Sequence, residues 1–252
     1  MSTETKVPEN WFAQGGQSYA RFRPDYPVEL ARFLAGIAPA RDRAVDVGCG
    51  NGQLTVQLAT CFDEVIGVDP SADQIASATA HARVRYVCGP AEKLPLPSHS
   101  ASLITAAQAA HWFDLPAFYA QARKTGADGA VIALISYGVL KVPDELQDRF
   151  SRFYHDEVGP YWPPERKLVD GGYRNLSFPF PEAAVPKMDI RRCWDLADFL
   201  GYVSTWSAVK RLTAAGAARI LEDFRQDISR LWGDPTQKHP VSWPINMRVG
   251  AL

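Results

Sequence analysis

Two acids and three glycines near residue 50 have the types and spacing to hold a ligand. Asp46 precedes Gly48-Cys49-Gly50-Asn51-Gly52, and Asp69 follows 17 residues after Gly52. Apolar runs lead into both: Ala44 to Val47 ahead of the glycines and Val65 to Val68 ahead of Asp69. The stretch reads as a buried strand, a glycine turn opening a helix, and a second buried strand ending in an acid. A glycine has no Cβ, so the backbone there can turn sharply and approach a ligand closely. One helix and one strand further on, the Asp69 carboxylate stands where it can grip a ribose diol. This is how a βαβ unit holds a nucleoside-containing cofactor. The alternative is a turn whose glycines only let helix and strand pack.

The polarity of the turn bears on which cofactor. A dinucleotide site favours G-x-G-x-x-G, with a pyrophosphate at a helix N-terminus. Here the spacing is G-x-G-x-G, and Asp46 lies on the strand just before it. That carboxylate repels a pyrophosphate and attracts a cation, such as an amino-acid ammonium group near a sulfonium. The pattern therefore points to S-adenosylmethionine rather than NAD.

The elements that position these residues follow from apolar periodicity and from breakers. A helix is expected over Val28–Ile37, strand one over 43–47, a helix near Leu54–Cys61 and strand two over 65–69. Ser71, with Gln74 three residues on, caps a helix to about His81, before a strand at Val84–Cys88. Ala101–Ala107 is a fourth short buried strand and Leu115 to Lys124 a helix. Gly126–Gly129 turns the chain into the strand Ala130–Tyr137. Unbroken apolar strands alternating with helices give an α/β fold, Rossmann-like and doubly wound. Its sheet should be mostly parallel and seven-stranded, with helices on both faces and an antiparallel C-terminal strand. After Gly138 the rhythm changes to a helix over Asp144–Val158 and an irregular aromatic, proline-rich stretch. A strand over Val185–Trp194, helices over Asp195–Ser207 and Thr213–Trp232, and a strand over Val241–Leu252 complete the chain. We expect one domain over 1–252, with a cofactor-binding core at 28–138 and a cap-like insertion at 139–184.

In an open sheet of this kind, ligands bind outside the carboxyl ends of the strands. Asp46 to Gly52, Asp69, Gly89 to Glu92 and Ala107 to Trp112 fall there. Asp46, Gly48, Cys49, Gly50, Gly52 and Asp69 are the expected contacts to the amino-acid and ribose portions. The loop after strand three forms an adenine wall with Glu92, and Pro70 and Ala91 are small, flat candidates to sandwich the ring. Gln108 and His111 can orient an acceptor or hydrogen-bond its oxygen, with Gln108 also near the cofactor. The plainer readings are a helix cap for Asp69, a surface turn at Ala91-Glu92, and packed structure for His111 beside Trp112.

The glycine turn with its two flanking acids resembles motif I and the following acidic strand end of class I S-adenosylmethionine-dependent methyltransferases. Pro90-Ala91-Glu92-Lys93-Leu94-Pro95-Leu96 and His111-Trp112-Phe113-Asp114 resemble the methyltransferase type 11 group. Within it, the small-molecule enzymes around trans-aconitate methyltransferase are the nearest likeness, including the block from Tyr19 to Pro27. The likeness covers roughly residues 10–140 and implies that Tyr19 and Arg23 lie over the methionine end of the cofactor. A guanidinium suits that carboxylate because it binds it bidentately. Two positions depart from the family: Pro90 stands where many relatives carry an aspartate, and Gly126-Ala127-Asp128-Gly129 replaces a Lys/Arg-Pro-Gly-Gly turn.

Composition narrows the alternatives. At 252 residues, 46% hydrophobic and 22% charged, the chain can bury a full core. A net charge of −1 gives no global pull toward nucleic acid or anionic membrane. Cys49, Cys61, Cys88 and Cys193 form no C-x-x-C pair, and no histidine–carboxylate cluster has metal-ligand spacing, so no metal is expected. The polar start and the lack of any apolar run near about 18 residues point to a cytoplasmic protein, a monomer or homodimer with no membrane partner. Methyl transfer to a small molecule, at a carboxylate or hydroxyl oxygen, is the expected activity. Tyr154, Tyr161, Trp162, Tyr173 and Trp206 offer aromatic walls for it, and His155, Arg166 or Arg174 could meet an anion, although each taken alone suits core or surface better. RNA or protein methylation, cofactor binding without catalysis, and an NAD-linked oxidoreductase are the competing readings.

Overall fold

The computed structural model describes residues 22–252. Its centre is one seven-stranded sheet in the order β3-β2-β1-β4-β5-β7-β6. The strands are β1 Arg43–Val47, β2 Glu64–Asp69, β3 Val84–Cys88, β4 Ala101–Ala107, β5 Gly126–Tyr137, β6 Met188–Trp194 and β7 His239–Ala251. The neighbours from β3 through β5 pair in parallel, whereas β7 runs antiparallel between β5 and β6. This is the Rossmann-like, doubly wound arrangement expected from the sequence.

Strands β1, β2, β4 and β5 feed both faces of the sheet. Ala44, Val65, Leu103, Ala133 and Ile135 pack into one cluster, while Val45, Ile66, Ile104, Ile132 and Leu134 pack into another. That period of two places a core on each side of a sheet buried on both faces. The first core takes helices α1 Val28–Ile37 and α2 Gln53–Leu58. It continues onto α5 Asp144–Arg152, α7 Leu196–Ser204, α8 Ser207–Ala214 and α9 Ala218–Trp232. The second core takes α4 Leu115–Thr125, the end of α6 Arg166–Asp170 and the aromatic stretch from Tyr173 to Phe180. The short α3, Ala72–Ala76, joins β2 to β3.

Several boundaries differ from the sequence expectation. Gly126–Gly129 is not a turn ahead of the strand but its first part: Ala101 pairs with Gly126 and Leu103 with Val131, so β5 carries a bulge there. Gly129, at φ 71, supplies the backbone that the bulge needs. The Asp195–Ser207 and Thr213–Trp232 helices resolve into three. Trp206 adopts an extended backbone between α7 and α8, and Gly216 at φ 76 separates α8 from α9. α3 stops at Ala76, five residues before the expected end, and the helix from Asp144 widens into a π turn over Phe153–Glu157. β6 begins at Met188 rather than Val185, after Pro186.

The post-β5 helices are joined by stacked aromatics. Phe153 and Phe224 lie parallel at 3.7 Å between ring centroids, both fully buried. On α9, Leu231 is by contrast 47% exposed. Phe224→Ala should therefore cost about 3–5 kcal/mol in urea unfolding, whereas Leu231→Ala should cost under about 1 kcal/mol. Equal losses would show that α9 does not depend on the stack.

Candidate active site

The carboxyl ends of β1, β2, β4 and β5 converge on one edge of the sheet. The glycine turn after β1 is held there by the backbone: Gly48 and Cys49 N–H both donate to Val68 O, at 2.7 and 3.1 Å, and Gly52 N–H donates to Cys49 O. All three glycines have positive φ, at 70, 54 and 90. Their space requirements differ. A Cβ on Gly48 would strike the Ala109 methyl, and one on Gly52 would strike the Tyr86 hydroxyl, which itself donates to Thr79 O at 2.9 Å. A Cβ on Gly50 would meet nothing nearer than Gln74 Oε1 at 3.7 Å. Gly48 and Gly52 thus satisfy chain packing, and of the three only the Gly50 position has room for a Cβ. Cys49 is buried, and burial pushes its thiol pKa up, with Asp46 and Asp69 adding to the effect.

Both acids are buried. Asp46 is 1% exposed and accepts hydrogen bonds from Thr55 Oγ1 at 2.7 Å and Thr105 Oγ1 at 2.8 Å. Burial raises its pKa to about 6, against the hydroxyl bonds that oppose the shift. Asp69 accepts from Gly50 N–H at 2.8 Å and Ser71 N–H at 2.9 Å, so it braces the glycine turn against the end of β2. It does not cap the following helix; Ser71 does, accepting from Gln74 N–H. Burial also raises the pKa of Asp69. Among the described residues no lysine, arginine or histidine forms an ion pair with Asp46 or Asp69. Two negative charges thus act on each other with no counter-ion among the described residues.

The remaining expected residues divide between this edge and its supports. Pro70 is exposed beside Asp69, and Ala91 is buried in the second core. Glu92 Oε1 accepts from Asp114 N–H at 3.0 Å and so fastens the loop after β3 to the start of α4. Gln108 follows β4 with φ 55, an uncommon conformation for a residue other than glycine. Its N–H donates to Ile135 O at 2.8 Å and its Nε2 to Tyr137 O at 3.3 Å, tying the end of β4 to that of β5. Arg23 Nη1 donates to the Tyr137 hydroxyl at 3.1 Å, and its guanidinium lies 5.4 Å from the centre of the Tyr202 ring. Arg23 thus stands at the β5 side of the edge. Tyr19 lies outside the described residues.

His111 sits on a short 3-10 turn, Ala110–Trp112, with Nδ1 2.8 Å from the Tyr173 hydroxyl. Burial, then the charge of Arg166, lowers its pKa to about 3, so the ring is neutral at ordinary pH. Tyr173 is reached through Gly172 at φ 62 and itself has φ 60. Tyr154 and Trp206 are buried core residues, whereas His155 and Arg174 are exposed. Thr55, Thr105, Tyr137, Tyr202 and Asp170 were not singled out by sequence reasoning. Thr105 had a signal, as a hydroxyl in the apolar run from Leu103 to Ala107; the others had none that spacing could give.

The geometry agrees with known proteins. Residues 44–129 match the family model of a methyltransferase domain. A Dictyostelium discoideum protein assigned to the methyltransferases is 35% identical over 98% of this chain and 96% of its own. A solved structure from Anaeromyxobacter dehalogenans, assigned as a type II methyltransferase, is 44% identical with a TM-score of 0.86, covering 91% of this chain and 98% of that one. The malonyl-[acyl-carrier protein] O-methyltransferase of Dechloromonas aromatica is 28% identical over 79% of this chain and 75% of its own. An acid-lined glycine turn, on this sheet and among these relatives, places the chain in the class I S-adenosylmethionine-dependent methyltransferases.

Proposed function

We propose that this methyltransferase acts on a small molecule and methylates an oxygen that is already ionised, a carboxylate in preference to a hydroxyl. The observation that carries the cofactor half of this reading is the pair of buried acids with no cation paired to them among the described residues. Burying a charge without a partner is costly, and the deficit is removed when a cationic ligand arrives. In this reading Asp46 faces the ammonium group, directly or through water, and Asp69 accepts from the ribose while still holding Gly50. The open Gly50 position, with Gly48, Cys49 and Gly52 around it, admits the amino-acid portion. Pro70, Ala91 and the Glu92 loop flank the adenine, and Arg23 and Gln108 stand toward the methionine end.

S-adenosylmethionine supplies a methyl group on a positively charged sulfur, so that a C–O bond forms in line as the C–S bond breaks and its electron pair stays on sulfur. The chain's own residues need provide only proximity and alignment, with nucleophile and methyl about 3 Å apart. His111 bears on the acceptor. An imidazole that refuses a proton above about pH 3 is a poor base for removing one from a hydroxyl. It remains a good hydrogen-bond partner and can orient an oxygen that needs no deprotonation. A carboxylate, ionised near neutral pH, meets that condition. That one relative, similar over 79% of this chain, is by name an O-methyltransferase of a malonyl carrier supports the choice of oxygen. In this reading residues 139–184 form a cap that contributes to the acceptor side.

Binding of S-adenosylhomocysteine, which carries the same ammonium group, should depend on the ionisation of Asp46. Its Kd should be flat above the Asp46 pKa of about 6 and rise about tenfold by about pH 5, as the carboxylate takes up a proton. Asp46→Asn should weaken binding near neutral pH and abolish this dependence. The variant's unliganded melting temperature near neutral pH should not fall far, because the unpaired charge is gone. Calorimetry and thermal unfolding across pH check both.

The glycines should separate by stability. Gly48→Ala should lower unfolding stability by about 3 kcal/mol or more, combining backbone strain with a clash. Gly50→Ala should cost only about 1 kcal/mol and lose mainly cofactor affinity. The activity itself is tested with methyl-labelled S-adenosylmethionine and a metabolite extract. A labelled small-molecule ester, released by mild alkali, is expected. Label confined to macromolecules, or in an alkali-stable product, would overturn the reading.

A further inference from the structure

Arg166 has two different ends. Its Nε donates to the Tyr154 hydroxyl and to Asp170 Oδ1, both at 2.9 Å, and Tyr154 in turn donates to Asp170. Its guanidinium is stacked 4.8 Å from the centre of the Trp162 ring. Its two terminal nitrogens, by contrast, make no hydrogen bond among the described residues. An arginine serving only as a strut usually engages a carboxylate through its fork of terminal nitrogens, because that is the strong bidentate geometry. Here the strut uses the inner nitrogen, and the fork is left over.

The side chain lies deep in the protein, yet 17% of it is reached by solvent. Its charge acts on His111, Tyr173, Tyr202 and Arg23. Contacts run from Arg166 toward the end of β5: its partner Tyr154 packs 5.5 Å from the Trp206 ring, Trp206 lies 5.6 Å from Tyr202, and Tyr202 lies under Arg23, which bonds Tyr137. Among the described residues Asp170 is the one carboxylate bonded to Arg166, and that bond is made by the inner nitrogen. His111 is held neutral, and burial keeps the tyrosines protonated.

We infer that Arg166 is the specificity residue of the acceptor site, and that its free fork binds an oxyanion of the acceptor other than the oxygen that is methylated. The reacting oxygen itself would be a poor occupant, since a guanidinium bonded to it would draw down its lone pairs. The acceptor therefore carries at least one carboxylate or phosphate besides the reacting group, and the product stays anionic after methylation. This inference rests on the proposed small-molecule reading and deepens it.

The test uses the full chain, methyl-labelled S-adenosylmethionine and a metabolite extract. The labelled product should be retained on an anion-exchange resin near neutral pH, and pretreating the extract with phosphatase separates a phosphate anchor from a carboxylate one. With the acceptor purified from that extract, Arg166→Gln should raise its KM about 30-fold, the loss expected of a charge-assisted pair. The Kd for S-adenosylhomocysteine should stay within about twofold, and Arg166→Lys should recover part of the loss. Asp170→Asn should lower the acceptor KM, because it removes the opposing charge. A structural strut gives the opposite sign: both variants would then weaken the acceptor alike, and the inference fails. It also fails if the labelled product is neutral or if Arg166→Gln leaves KM unchanged. Should Arg166→Gln not fold, product charge and Asp170→Asn decide. No labelled small molecule at all sinks the functional reading and this inference with it, whereas a labelled neutral product sinks this inference alone.

Discussion

A negative charge with no counter-ion among the described residues, buried at the carboxyl end of β1, is the constraint around which this site is built. Asp46 keeps its carboxylate in the interior only because Thr55 on α2 and Thr105 on β4 each donate a hydroxyl to it. Those donors are available because β1 is flanked by β4 in parallel register, with Asp46 directly opposite Thr105. The same neighbour relation on the other side brings Asp69 to the end of β2, where it holds Gly50 N–H. Hydroxyls ease the burial of a charge but do not neutralise it, so the pKa still rises to about 6. A fold this well packed does not leave such a deficit by neglect. Under the proposed function it is the electrostatic half of a cation site, since the family's cofactor is a cation.

The charges change sign along the sheet edge. β1 and β2 end in carboxylates, β4 ends in the neutral pair Gln108 and His111, and β5 ends at Tyr137 with Arg23 on its hydroxyl. Arg166 lies beyond, among the residues that follow β5. Under the proposed function this gradient has a direct use. A positive methyl donor settles on the negative side and an anionic acceptor on the positive side, so their own charges aim them at each other across the neutral middle. In a dry site such attraction is screened far less than in water, and the transfer cancels the positive charge on sulfur.

Most of this edge was legible from residues alone, since apolar runs ending in acids or glycines give strand positions and polarity together. β1, β3 and β4 begin and end where periodicity put them. What the sequence concealed was the division of labour inside the turn. Gly48, Gly50 and Gly52 look equivalent as letters, and only the positions of Ala109 and Tyr86, 61 and 34 residues away from Gly48 and Gly52, make those two packing glycines. The partners of Asp46 were hidden for the same reason, because register between β1 and β4 cannot be read from either strand alone. The β5 bulge misled in a simpler way: Gly126-Ala127-Asp128-Gly129 has turn chemistry, and a bulge uses the same chemistry without leaving the sheet.

The second half of the chain was harder because its aromatic residues serve packing and site at once. Tyr154 is core by burial, stacked on Phe150, yet its hydroxyl is what turns Arg166. Trp162 is a wall of the same cluster, yet it carries the guanidinium face. Composition cannot separate these uses, since the ring satisfies one and the polar tip or π-face the other. Gly171-Gly172-Tyr173 shows the same limit. As a sequence it is a chain break. In the fold, two successive left-handed residues carry the Tyr173 hydroxyl back to His111, 62 residues away. Left-handed backbone at a buried tyrosine is conformationally expensive. It persists where the surrounding packing demands it, and here that packing ends on the histidine that follows β4.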